Sequence, residues 1–147
     1  MKTGTILKKT STVVSYEAGM MDYNKKYNES RRLAMKNINN AMACSDDYLM
    51  VARSIMKLSN SKESNAECLD YLNKADETSK ITNVNICKMK ILLLLRENKQ
   101  ADAVHLLHEY QDMLNAMYQQ PHTQEDAQWI AGEHTWAEKL LDRTYIM

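Results

Sequence analysis

The stretch "NICKMKILLLLRENKQADAVHLLHEYQDML", Asn85 to Leu114, decides the fold. Three readings compete for it: a membrane anchor, a metal site built on its histidines, or one hairpin of a helical repeat. The anchor fails first. The uninterrupted apolar run, Ile91 to Leu95, is five residues long, far short of the roughly 20 that span a bilayer, and Lys88 and Lys90 sit beside it. No membrane insertion is expected.

Helical spacing explains the stretch better. Val84, Cys87, Ile91 and Leu94 recur along one side of a helix from about Val84 to Asn98, and Ile86, Met89 and Leu93 along another. A helix apolar round most of its circumference is one buried on two sides. Asn98 to Gln100 reads as a short turn. Ala103, Leu107, Tyr110, Leu114 and Met117 then form a clean stripe that Pro121 closes. His105, His108 and Glu109, with Asp102 and Asp112, fall away from that stripe, so we expect them to face water. His122 and His134 supply no matching cluster. No metal is expected.

Outward from this hairpin the chain keeps the same period. Tyr16, Met20, Tyr23, Tyr27, Ala34, Ile38 and Ala41 share a stripe, predicting one long helix or two with a break near Asn28–Ser30. Ser45 precedes two aspartates and reads as an N-cap. "SNAE", Ser64 to Glu67, matches a capping box. Thr123 with Asp126 can cap a last helix carrying Ala127, Ile130, Trp136, Leu140 and Leu141. The expected fold class is therefore all-α, about five to six helices in antiparallel hairpins, stacked as a short solenoid or packed as an irregular bundle. Residues 1–13, rich in Thr and Lys, read as an extended arm, and 14–147 as one helical domain.

Composition agrees. The 147 residues hold three glycines, one proline and no phenylalanine, too few turn makers for an all-β fold or a Gly-rich phosphate loop. Eleven methionines and eight tyrosines must supply the core's bulk. Cys44, Cys68 and Cys87 are odd in number and lack a C-x-x-C pair, which argues for buried thiols in a reducing, cytoplasmic setting rather than disulfides or a zinc knuckle. No G-x-S-x-G appears and no cysteine neighbours a histidine, so a non-enzymatic role without cofactor is expected.

A repeat runs through the helices. Ala34, Cys68, Ala103 and Ala137 are spaced 34, 35 and 34 residues apart. Four positions after each come Ile38, Leu72, Leu107 and Leu141, and three further on Ala41, Ala75, Tyr110 and Thr144. Small residues let helix backbones approach, and the aliphatic fills the groove between layers. This period and pattern resemble the tetratricopeptide repeat, mainly over residues 47–114, with "ENKQADAVHLLHEY" most like the family's turn and second helix. The family's Trp, Gly-Tyr and final Pro positions are not evident. The resemblance implies a groove that binds a peptide or helix of another protein, as an adaptor or chaperone does. It places Leu49, Arg53, Lys57, Lys88 and Lys90 on first helices as groove-lining residues.

Two further surfaces are singled out. Residues 1–44 carry a net +5 and residues 121–147 a net −3. Lys25, Lys26, Arg31, Arg32 and Lys36 thus form a basic surface suited to an acidic protein, a nucleic acid or the acidic end of a second copy. It motivates an alternative: a small helical regulator or inhibitor of phage or mobile-element type, acting on a host protein or nucleic acid. Trp129 and Trp136, seven apart beside Gly132, share a face of the last helix. They either cap the stack or form a homodimer or partner-binding stripe.

Overall fold

The computed structural model describes residues 12–79 and 83–146, with side chains placed over 24–79 and 83–143. Among these the chain is entirely helical, in six helices: α1 Thr12–Asn39, α2 Ser45–Leu58, α3 Lys62–Thr78, α4 Val84–Arg96, α5 Gln100–Gln119 and α6 Gln124–Ile146. Residues 1–11 of the expected arm lie outside the described residues. The chain groups into two compact units, Met1–Tyr71 and Leu72–Met147.

In the first unit, α1 is one continuous helix with no break at Asn28–Ser30. Local side-chain bonds span the suspected weak point: Asn28 Nδ2 donates to the Asn24 carbonyl at 2.9 Å, and Arg32 binds Glu29 at 2.6 Å. The helix ends in a Schellman turn. Met42 N–H reaches the Asn37 carbonyl at 2.9 Å, and Ala41 takes φ 56°. Ala41 is therefore exposed beyond the helix rather than on its buried stripe. The cap of α2 also differs by one residue from expectation. Cys44 is the N-cap, and the Asp47 carboxylate accepts its amide at 3.0 Å. Asn37 Nδ2 donates to the same carboxylate at 3.0 Å, tying the end of α1 to the start of α2. These hydrogen bonds, the Cys44 amide foremost, hold the Asp47 carboxyl below its ordinary range.

α3 starts earlier than the "SNAE" reading. Ser61 and Ser64 exchange reciprocal bonds, amide to hydroxyl, at 2.9 and 3.0 Å, so the helix opens at Lys62 and Glu67 is an exposed interior residue. Cys68 is fully buried, its Sγ–H donating to the Ala52 carbonyl at 3.3 Å. The close approach of α3 to α2 requires a small residue at each of these positions. Val51, Ile55 and Leu49 complete the buried side of α2.

In the second unit, α4, α5 and α6 pack in sequence around Cys87, Ile91, Leu107, Tyr110, Leu114, Ile130, Ala137 and Leu141. Each large member contributes on the order of 1.5–3 kcal/mol by leaving water. Ile86, Met89 and Leu93 on the second side of α4 are buried as well. α4 ends in another Schellman turn, with Asn98 at φ 59° and Lys99 N–H on the Leu94 carbonyl at 2.8 Å. Asparagine tolerates the left-handed region, which is why the chain turns here without glycine. At α6 the expected cap forms: Thr123 and Asp126 exchange bonds at 3.1 Å in both directions.

Candidate functional site

The last turn of α5 leaves the core. Ala103, Leu107, Tyr110 and Leu114 are each fully buried, but residues 115–120 are exposed, so Met117, placed by its spacing on the buried stripe, is instead 37% exposed. With the beginning of α4 this turn forms an open groove of about 520 Å³ lined by Val84, Met113, Ala116 and Met117 together with Glu109, Asp112 and Gln120. Two methionines in the lining make the surface adaptable, because their unbranched chains repack at low cost. A smaller recess of about 220 Å³ adjoins it, sharing Glu109 and Met113 and reaching Cys87 and Lys90.

Of the lysines expected to line a groove, both on α4 are engaged within the second unit. Lys88 Nζ donates to Glu133 Oε1 at 2.7 Å and lies 4.6 Å from the centre of the Trp136 ring. Lys90 pairs with Asp76 at 3.0 Å. In the first unit Leu49 is buried, Arg53 half-buried and Lys57 exposed. Spacing alone could not foresee the Lys88 pairing, since Glu133 lies 45 residues away on α6.

That pairing belongs to a polar cluster which sequence reasoning missed. The Tyr110 hydroxyl, fully buried, donates to the same Glu133 Oε1 at 2.6 Å, and the Tyr110 and Trp136 rings meet edge to face at 5.7 Å. Burial favours the protonated Glu133, but the Lys88 and Tyr110 hydrogen bonds outweigh it and hold the carboxyl below its ordinary value. Burial, then the Glu133 carboxylate, pushes the Tyr110 phenol well above its ordinary value, so it remains a donor. Every buried side-chain nitrogen and oxygen among the described residues has a partner. The cluster rivets α6 to α4 and α5 and consumes its own charge, a structural arrangement. Trp136 is half-buried here whereas Trp129 is 42% exposed, so the two tryptophans do not form one exposed stripe.

The histidine face points to water as expected. His105 and Glu109 approach to 3.4 Å with the imidazole 80% exposed, and among the described residues no three His, Cys, Asp or Glu side chains are placed to hold a metal ion. On α1, Lys25, Arg32 and Lys36 share the exposed face opposite buried Ala34, and Lys26 stands 5.5 Å over the Tyr27 ring. Arg31 is half-buried and reaches Asn28 at 3.3 Å. No helix among the described residues is long and apolar enough to cross a membrane. Neither protein-family models, nor curated proteins, nor solved structures yield a match to this chain.

Proposed function

We propose that this chain is a non-enzymatic protein–protein interaction module, adaptor or chaperone-like, that holds a peptide or helix of a partner protein. The observation that carries the reading is the groove at the end of α5. Its lining combines apolar Val84, Met113, Ala116 and Met117 with the carboxylates of Glu109 and Asp112. Apolar surface rimmed by polar groups is the usual mark of an interaction site. A helix laid into such a groove anchors through apolar side chains at i, i+3 or i+4 and i+7. Cys68, Ala103 and Ala137 are buried, as both tetratricopeptide-like stacking and an irregular bundle ask of their small positions.

The test is affinity purification with mass spectrometry on the wild type and on Ala116→Arg, which fills the groove from an exposed position. One protein partner recovered in proportion with the wild type and lost with the variant is expected. A partner that survives the substitution would rule this groove out.

A second reading, the small helical regulator, is favoured by the exposed Lys25, Arg32 and Lys36 on one face of α1. It requires nucleic acid or an acidic host protein to be retained at low salt and released as salt rises. Loss of that material on Lys25→Glu/Lys36→Glu, with Ala116→Arg silent, would select it.

A further inference from the structure

Two surfaces of this chain are complementary to each other. α5 carries three carboxylates, Asp102, Glu109 and Asp112, and no lysine or arginine. Two of them, Glu109 and Asp112, line the α5 groove. Over residues 24–39, α1 carries five lysines and arginines against the single carboxylate of Glu29, which Arg32 already binds. Beside Lys36 and Arg32 on that helix, Leu33 is 50% exposed, a large apolar side chain standing among cations.

We propose that the basic face of α1 from a second copy docks in the α5 groove, with Leu33 against Met113 and Met117, and Lys25, Arg32 and Lys36 along Glu109 and Asp112. The proposal goes beyond the adaptor reading by naming an occupant, and it does not need a foreign partner. Placed reciprocally, the two contacts close a two-fold dimer. Placed one way, they would propagate into an open chain. Opposite charges at the edge accelerate encounter and set the register, while the apolar anchor excludes water. Exposed charge pairs of this kind are screened within about 8 Å at physiological ionic strength, so the association is strongest at low salt. A self-occupied groove would also compete with any client, giving the adaptor an unloaded state that its partner must open.

Sedimentation velocity on the full chain over a concentration series, at 20–50 mM and at roughly 500 mM salt, tests this. We expect a dimer at low salt whose dissociation constant rises about tenfold or more at high salt. Glu109→Lys/Asp112→Lys should yield monomer at low salt, as should Lys25→Glu/Lys36→Glu, and combining all four substitutions should restore the dimer. Helical circular dichroism confirms that each variant folds, and all four positions are exposed. Wild-type monomer throughout at low salt, a dimer indifferent to both charge reversals, or failure of the combined variant to recover association would overturn the proposal. Each of these results leaves partner capture and its sensitivity to Ala116→Arg untouched, so the two readings fail separately.

Discussion

Glu133 shows how much one residue's surroundings decide. An isolated carboxylate on α6 would be a solubilising group. Here it accepts from Lys88 and from the buried Tyr110, and Trp136 lies beside the lysine. Tyr110→Phe keeps the ring and its packing but deletes a hydrogen bond to a charged group, so we expect a loss of about 1.5–3 kcal/mol in urea unfolding. A substitution that leaves the midpoint unmoved would mean the hydroxyl is replaced by water without loss. The pH dependence follows from the depressed carboxyl. Its folded value lies below the ordinary 4.5, so the stabilisation is present in full above the unfolded value and disappears as pH falls through the folded one. Urea midpoints should thus decline on acidification below about pH 4.5, and Glu133→Gln should flatten part of that decline. An identical slope in the variant would show that other carboxylates carry it.

At the scale of the helix, ends and interiors obey separate rules, and the sequence was legible in proportion. The Thr123–Asp126 cap, the turn after Arg96 and the buried run Ala103, Leu107, Tyr110, Leu114 could be read directly, because each depends on neighbours three or four residues away. The start of α3 is not legible in the same way, because Ser61 and Ser64 both make good caps and only the backbone course selects between them. The lysines of α4 were unreadable for another reason: their partners come from other helices. The groove falls between these cases, since Met117 has the right spacing for burial yet is exposed among the described residues. Two substitutions test the helix-level account. Ala41 pays for a left-handed turn that glycine adopts freely, so Ala41→Gly should stabilise by about 1 kcal/mol. Gly132 sits inside α6 with nothing within 4 Å of an added Cβ, so Gly132→Ala should gain about 1 kcal/mol from helix propensity. Thermal or urea melts read both, and a destabilised Gly132→Ala would mean that something covers this face in solution.

For the molecule as a whole, the three cysteines report on both units in one experiment. Cys44 is exposed at the start of α2, while Cys68 and Cys87 are buried, donating to the carbonyls of Ala52 and Leu106. Burial, with the Glu109 carboxylate adding to it, pushes the Cys87 thiol up to about 11, so the folded protein presents almost no thiolate there. Native protein should therefore label at Cys44 within minutes and at the other two only through unfolding. Cys68 lies in the first unit and Cys87 in the second, yet α3 contributes to both, Cys68 to one and Leu72 and Ala75 to the other. A helix cannot melt through Cys68 and keep the next turn intact without leaving Leu72 and Ala75 on a frayed end. We expect Cys68 and Cys87 to lose protection at the same urea concentration, in a single transition that tracks helical circular dichroism. Protection of Cys68 lost well before that of Cys87 would mean that α3 breaks near Tyr71 and that the two units unfold independently.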